Sequence, residues 1–258
     1  MRIYVCVKHV PDSAANIRIV GSNQIDESVT FLMNPYDEHA IEEAARLKEK
    51  VGKAEVIAVS LGKAGAVNTI QSALAMGADR GILITTDRIP DSLVTARALK
   101  AAIEQDGRPD IIFTGKESID SEGFQTMFRL AVALDMPAAS GVEAFSLEQG
   151  RVIVECELEA GAREVVEMPL PCVIGCGKGL NKPRYPTLPA IIKARKKEVK
   201  QIELQSLKIE EPAGSTEILE LKPAVEERRP QELKGSPEVI AGEILRILRD
   251  EAKVISER

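Results

Sequence analysis

The chain has 258 residues, of which 44% are hydrophobic, so it is long enough for one large core or two smaller ones. Its 34 lysines and arginines are outnumbered by 40 aspartates and glutamates, and the net charge of -6 argues against general binding to DNA or RNA, which requires a basic face. No apolar run approaches the roughly 20 residues of a membrane-spanning helix. The first residues, MRIYVCVKHV, resemble a strand rather than a charged leader, so we expect a protein of the cytoplasm, or of the mitochondrial matrix if the source is eukaryotic.

From the start to about residue 138, short β-branched runs alternate with helical periods. The runs IYVCVKHV, EVIAVSLG, GILITT and DIIFTG have the composition of strands. The segments PYDEHAIEEAARLKEK, AGAVNTIQSALAMGA, DSLVTARALKAAIEQ and EGFQTMFRLAVAL have helical spacing, and Gly52, Gly77 and Gly107 follow the first three of them. This alternation predicts an α/β fold in which a doubly wound, mostly parallel sheet carries helices on both faces.

After residue 137 the apolar period changes to two. Within the segment RVIVECEL, apolar side chains alternate with mostly charged ones, at Val152, Val154, Cys156 and Leu158. Turn pairs stand on either side of this segment, at Gln149-Gly150 and Ala160-Gly161. The pattern predicts an antiparallel hairpin extension at the border of the sheet.

Beyond about residue 200 the chain becomes charged and is interrupted by prolines. It ends in an amphipathic helical pattern, SPEVIAGEILRILRDEAKVI, with Ser236 as the expected cap and Pro237 in the first turn. The apolar stripe of this helix must be buried, either on the chain's own sheet or on another subunit. The sequence thus predicts an extended C-terminal arm that ends in a helix.

Cysteine and histidine offer little support for metal or catalytic chemistry. The four cysteines lack the paired C-x-x-C spacing of a zinc site and stand in strand-like runs, so we expect reduced thiols. The chain has two histidines, and neither has an evident relay partner. We therefore predict no metal site and no catalytic residue.

The loops after the predicted strands are the candidate binding sites, because doubly wound sheets bind ligands beyond the carboxyl ends of their strands. These loops are KHVPDSAANIRI, MNPYDEHA, SLGKAG and TGKESIDSEGFQT. In the last of them, Gly115 ends a buried strand, Asp120 or Ser121 can cap the next helix, and free backbone N–H groups would face a phosphate. Neither a Walker loop nor a G-x-G-x-x-G fingerprint is present, so a nucleotide site and a simple capped helix start remain alternatives.

The polar residues of the second loop have the same two interpretations. Asn34 precedes Pro35 and is either a helix cap or a ligand contact. Asp37 and Glu38 lie in the first turn of the helix, where negative charge interacts favourably with the helix dipole. This interaction alone would account for both residues.

The segment LNKPRYPTLPAIIKARKK contains three prolines, which fix φ and remove backbone donors. We expect an extended, ordered loop that displays Tyr185 and Leu188 beside a basic rim, which would lower the entropy lost on docking. The alternative is that both side chains pack beneath their own loop, and the residues alone slightly favour this burial.

These motifs together resemble the electron transfer flavoprotein beta-subunit family over residues 1–200. The resemblance rests on VCVKHVPD, MNPYDEHAIEEAARLKEK, ALAMGADRGI, the GKESID loop and LNKPRYPTLPAIIKARKK, which has the family's N-x-P-R-Y-x-[ST]-x-P-x-I form. It implies a heterodimer whose alpha subunit holds most contacts to FAD, while this chain binds AMP. It also implies an electron carrier, not an enzyme, that takes electrons from acyl-CoA or related flavin dehydrogenases in fatty acid oxidation and passes them to a membrane quinone oxidoreductase.

The resemblance also assigns site residues and domains. It implies nucleotide binding by the strand-end loops, at Cys6, Asn34, Pro35, Tyr36, Asp37, Leu61, Gly115, Lys116, Ser118, Ile119, Asp120, Ser121, Gly123, Phe124, Gln125 and Thr126. It implies a recognition loop over residues 184–193 that docks on dehydrogenases, with contacts from Arg184, Tyr185, Pro186, Thr187, Leu188, Pro189 and Lys193. We accordingly expect a nucleotide-binding domain over residues 1–200 and, over residues 201–258, an arm and helix that pack on the alpha subunit.

One position departs from the family patterns and keeps alternatives open. AMP-binding members tend to carry N-Q-T at the helix start, where this chain has Phe124 before Gln125 and Thr126. Electron-bifurcating members, which use NADH and hold a second FAD in this site, tend to carry D-G-D-T-x-Q-V-G-P. We favour AMP because Gln125 and Thr126 are kept, with a bifurcating subunit and a stand-alone nucleotide-binding regulator as the alternatives.

Overall fold

The computed structural model describes residues 1–88, 90–210, 218–223 and 231–255. The chain divides into two units, Met1–Leu219 and Glu220–Arg258. The described strands are β1 Arg2–Cys6, β2 His9–Pro11, β3 Ile19–Val20, β4 Gln24–Ile25, β5 Phe31–Met33, β6 Glu55–Gly62, β7 Arg80–Thr85, β8 Ile111–Gly115, β9 Ala138–Glu148, β10 Arg151–Glu157, β11 Arg163–Pro169, β12 Cys172–Cys176 and β13 Val199–Glu203. The described α-helices are α1 Pro35–Val51, α2 Val67–Met76, α3 Ser92–Asp106, α4 Thr126–Ala133, α5 Leu188–Ala194 and α6 Pro237–Arg246.

A nine-stranded sheet forms the centre of the first unit, in the order β11-β10-β9-β12-β8-β1-β6-β7-β13. From β9 to β13 in this order, each strand runs parallel to its neighbours. β8 is buried at all five positions, as a strand covered on both faces requires. The mostly parallel, doubly wound α/β sheet predicted from the alternation of strands and helices is confirmed, and with β13 the sheet continues past residue 200.

Helices cover both faces of the sheet, and each face has its own apolar core. Ile3 and Val5 of β1 belong to the cluster that includes residues of α1 and α2, whereas Tyr4, between them, belongs to the cluster with residues of α3 and α4. This alternation along one strand places the two cores on opposite sides. Gly52, Gly77 and Gly107 follow the last residues of α1, α2 and α3, as predicted.

The segment after residue 137 forms the predicted antiparallel extension. β10 pairs antiparallel with β9 and with β11, and β9 also runs parallel to β12, which joins the extension to the main sheet. Val152, Val154 and Cys156 are buried on one face. Leu158 does not continue the series as predicted, because β10 ends at Glu157 and the chain turns there, leaving Leu158 exposed.

The second unit contains the C-terminal helix. α6 begins at Pro237, directly after Ser236 as expected, but the Ser236 side chain makes no capping hydrogen bond. None of the residues of α6 is buried, and a π-helical turn, Ile247–Glu251, follows it. Much of the predicted arm before the helix lies outside the described residues. Within the part of the chain that is described, no helix combines the length and apolar character needed to cross a lipid bilayer.

The central strand β6 provides a test of this core. Ile57 is fully buried between β1 and β7, so Ile57→Ala should lower the free energy of unfolding by about 2–5 kcal/mol, through lost burial and the cavity left behind. Val132 is 81% exposed on α4, and Val132→Ala should change the free energy of unfolding by less than about 0.5 kcal/mol. Chemical denaturation of both variants measures the difference, and equal effects would contradict the assigned core.

Candidate functional site

The strand order reverses between β1 and β8, and this topology predicts a crevice beyond the carboxyl ends of the two strands. From β1 the chain proceeds to β6 and β7 on one side, and from β7 it returns through α3 to β8 on the other side of β1. The loops that leave the carboxyl ends of β1 and β8 therefore diverge. A reversal of this kind is where open α/β sheets bind ligands, and the strand-end loops predicted from the sequence meet at this edge.

Asp37, in the first turn of α1, joins the two strand ends. Its carboxylate accepts hydrogen bonds from the backbone N–H groups of Lys8, at 2.7 Å, and Gly115, at 2.9 Å. It also accepts one from Asn34 Nδ2 at 3.0 Å. Asp37 is 5% exposed, and burial raises the pKa of its carboxyl group to about 7, although the three N–H donors favour the charged form. Interaction with the helix dipole is therefore not the only role of Asp37, because its carboxyl oxygens also link the chain beyond β1 to the end of β8.

Gly115 makes this approach possible. A Cβ at this position would lie 2.4 Å from Asp37 Oδ1 and 2.6 Å from Tyr36 Cβ. Both distances are shorter than any van der Waals contact, so a larger residue would displace α1 from the end of β8. The glycine that was predicted to end the buried strand is thus also required by the helix beside it.

Asn34 has a different role from the helix cap considered above. Helix α1 begins directly after it, but its side chain makes no capping hydrogen bond. Instead, Asn34 Nδ2 donates to the carbonyl of Glu117 at 2.9 Å, and Oδ1 accepts from the N–H of Ile119 at 3.2 Å. The capping prediction is wrong because the amide is used by the loop after β8, which it ties to the start of α1.

The loop after β8 surrounds the amine of Lys8. Lys8 Nζ contacts Asp120 Oδ1 at 2.7 Å, Ser118 Oγ at 3.1 Å and Ser121 Oγ at 3.4 Å. The prediction that Asp120 or Ser121 caps the next helix is wrong, because α4 begins only at Thr126. Lys8 was not among the predicted site residues, and its position directly beyond a buried strand is the signal that could have identified it.

Two residues of this loop adopt the left-handed backbone conformation. Glu122 has φ 46° and Phe124 has φ 49°, on either side of Gly123. Such values cost energy for residues with a side chain and cluster at ligand sites and turns. The Phe124 ring is 43% exposed and lies 5.8 Å from that of Phe128, centroid to centroid, so it contacts the first turns of α4. Gln125 precedes α4 without a side-chain capping bond.

The remaining predicted nucleotide contacts lie along the same edge. Cys6 is the last residue of β1, and burial raises the pKa of its thiol to about 12. Leu61 lies next to the end of β6, directly after Ser60, whose buried Oγ has no hydrogen-bond partner among the described residues. Lys116 Nζ lies 5.3 Å from the centroid of the Tyr36 ring, and Lys178 Nζ lies 5.2 Å from it.

The proline-containing segment displays its apolar side chains. Tyr185 is 93% exposed and Leu188 is 70% exposed, so the expectation that they pack beneath their own loop is wrong. The extended part ends at Thr187, which caps α5 by accepting from the N–H of Ala190. Leu188 and Pro189 therefore occupy the first turn of a helix, and Lys193 near its end is exposed.

Arg184 differs from its neighbours in this segment. Its guanidinium contacts Glu42 Oε2 at 2.7 Å and Glu49 Oε1 at 2.7 Å, both on α1. Asn181 Nδ2 donates to the carbonyl of His39 and to Glu43 Oε2, also on α1. The segment is thus attached to α1 through Asn181 and Arg184, while Tyr185 and Leu188 remain exposed.

Comparison with known proteins relates this arrangement to one family. The model of the electron transfer flavoprotein domain matches residues 23–207. The electron transfer flavoprotein subunit beta of Bacillus subtilis is 33% identical over 260 residues, covering 99% of this chain and 100% of the relative. This chain belongs to the electron transfer flavoprotein beta-subunit family.

Other members of the family are similar over most of this chain. The mitochondrial beta subunit of Arabidopsis thaliana is 36% identical and covers 99% of this chain and 100% of its own length. The beta subunit of Homo sapiens is 40% identical over 78% of this chain and 81% of its own length. Membership in the electron transfer flavoprotein family makes this chain an electron-transfer protein.

The raised pKa of Asp37 predicts a pH-dependent stability. The folded protein retains a proton that the unfolded chain releases, so the contribution of Asp37 to stability should fall between about pH 4 and about pH 7 and then level off. Asp37→Asn lacks this titration, but its amide nitrogen would face an N–H group and lose a hydrogen bond, which costs about 1–3 kcal/mol.

Denaturation of both proteins across this pH range gives the measurement. Because all other titrating groups are shared, the difference in free energy of unfolding between the wild type and Asp37→Asn should shrink as the pH rises to about 7. A difference that stays constant or grows with pH would show that the carboxyl group titrates normally.

Proposed function

We propose that this chain is the beta subunit of an electron carrier and performs no substrate chemistry of its own. With an alpha subunit that holds most of the contacts to FAD, it would accept electrons from acyl-CoA dehydrogenases or related flavin dehydrogenases, in fatty acid oxidation, and pass them to a membrane quinone oxidoreductase. FAD, when bound, supplies the redox chemistry. The residues of this chain would shape the docking surface and hold a nucleotide, in the cytoplasm or in the mitochondrial matrix.

The observation that carries this proposal is the display of Leu188 and Tyr185. A soluble domain gains nothing from two large apolar side chains held on a proline-restricted segment, 70% and 93% exposed, unless a partner covers them. The nearby basic residues of α5 and of the turn after it provide a charged rim. A small apolar anchor with such a rim suits a carrier that must leave one partner to meet the next.

We also propose that the crevice between β1 and β8 binds AMP. Two features of the described residues support this fit: the buried Ser60 hydroxyl has no partner among them, and Gln125 leaves α4 without a side-chain cap. A phosphate at uncapped N–H groups would find hydrogen-bond donors and a favourable helix dipole. A second FAD is the competing occupant.

The anchor role predicts a kinetic effect of Leu188→Ala. Burying a leucine side chain contributes about 1.5–3 kcal/mol, so its loss should lower kcat/KM for reduction of the complex by a flavin dehydrogenase by about tenfold or more. Leu158→Ala, on an exposed turn far along the chain from this segment, is the matched control and should leave kcat/KM unchanged. Normal kinetics of Leu188→Ala would remove the anchor role.

The nucleotide assignment predicts the composition of the purified complex. Denaturing the complex of this chain with its alpha subunit should release FAD and AMP in equal amounts, which chromatography of the released nucleotides measures. Release of FAD alone, at twice the amount of complex, would instead support a bifurcating subunit. A folded, monomeric chain that binds nucleotide without an alpha subunit would support a stand-alone regulator.

A further inference from the structure

The attachment of the proline-containing segment to α1 has two parts, which we name the clamp: Asn181 and Arg184 on the segment, and Glu42 and Glu43 on α1. The Arg184 backbone N–H donates to Glu42 Oε2 at 3.1 Å, and its Nε donates to the same oxygen at 2.7 Å. Backbone and side chain of one residue thus converge on one carboxylate. This fixes both the position and the direction of the chain immediately before Tyr185.

Glu42 is placed to hold a strong interaction. Its side chain is 4% exposed, and it also accepts from Arg46 Nε at 2.8 Å, one turn along α1. Burial raises the pKa of this carboxyl group, but the hydrogen bonds from Arg184 and Arg46 outweigh burial and hold the pKa below its usual value. When one of its two arginine partners is lost, a buried carboxylate keeps a charge that is only partly compensated, and this is strongly destabilising. Glu49, the second partner of Arg184, is 62% exposed, and such surface pairs contribute little.

Asn181 provides the second attachment. Its amide nitrogen donates to the His39 carbonyl at 2.9 Å and to Glu43 Oε2 at 3.0 Å, and its Oδ1 lies 3.1 Å from His39 Nδ1. Both the nitrogen and the oxygen of the amide thus contact residues of α1. Asn181 and Arg184 lie on either side of Pro183, whose fixed φ limits the conformations of the chain between the two attachments.

We propose that the clamp residues Asn181, Arg184, Glu42 and Glu43 are positioning residues that hold Tyr185 and Leu188 in the docking geometry without contacting the redox partner. Arg184 thereby holds the segment to α1 of its own chain, whereas the family resemblance assigned it a direct contact with the partner. The inference rests on the proposed docking function. It adds that the affinity for dehydrogenases depends on carboxylates in a helix that the dehydrogenase does not touch.

The test uses the complete complex with the alpha subunit and the variant Glu42→Gln. The variant should raise KM for a flavin dehydrogenase about threefold to tenfold with kcat and bound FAD unchanged, because the anchor is still present but less often in position. Glu49→Gln, which alters the exposed partner of the same arginine, is the matched control and should change KM less than twofold. Asn181→Ala, which lies outside α1, tests the clamp independently of the helix and should raise KM in the same way.

A double-mutant cycle with Leu188→Ala separates positioning from direct contact. If the clamp acts only through the anchor, Glu42→Gln should change KM little once Leu188 has been replaced. Multiplicative effects of the two substitutions would show that Glu42 or Arg184 contributes to docking on its own and would overturn the proposal. So would an unchanged KM in both Glu42→Gln and Asn181→Ala.

A second readout does not depend on the docking function. Trypsin cleaves after arginine, and the Arg184–Tyr185 bond should be cut several-fold faster in the Glu42→Gln complex than in the wild type or in Glu49→Gln. Faster cleavage together with normal kinetics of Leu188→Ala would mean that the clamp exists but that the docking function is wrong. Equal cleavage rates in all three complexes would overturn the clamp itself.

Discussion

One buried carboxylate links the two strand ends where the candidate crevice opens. Asp37 accepts from the N–H group of Lys8, two residues beyond β1, and from that of Gly115, the last residue of β8. The interaction requires the absence of a side chain at position 115 and the burial of a group that prefers water. Since both donors are backbone groups, one in β8 and one just beyond β1, the edge is shaped by the fold itself, and a ligand entering it would lose little energy to rearrangement.

Helix α1 gives the crevice and the docking segment a common frame. Its first turn supplies Asp37, and its later turns supply Glu42 and Glu43 to the clamp. With 17 residues the helix is about 25 Å long, and it packs on the sheet along its apolar side. The spacing between the crevice and Leu188 is therefore set by a packed helix, although loops surround the crevice and Leu188 stands at the end of an extended segment, in the first turn of α5.

The periodic features of the chain were predictable because they are local. Strand and helix types, the glycines after α1, α2 and α3, and the antiparallel extension follow from spacing and turn residues. The roles of Asn34 and Asp120 were not predictable, because helix capping is a local expectation. Both side chains instead contact residues about 80 to 110 positions away in the chain. Arg184 shows the same limit: its basic side chain predicts a surface role, but two carboxylates on α1, far away in sequence, decide its direction.

Rigidity and weak binding are compatible in this arrangement because they depend on different residues. The exposed apolar surface of this segment is limited to a few side chains around Tyr185 and Leu188, and so small a contact would give a partner only modest affinity. The basic rim acts mainly on the rate of encounter, since exposed charges steer association more than they strengthen it. The clamp contributes directly to neither the affinity nor the rate of encounter, but it reduces the conformational entropy that docking would otherwise lose. A carrier can thus recognise its partner through a small contact and still dissociate rapidly, provided that the fold orders the contact in advance.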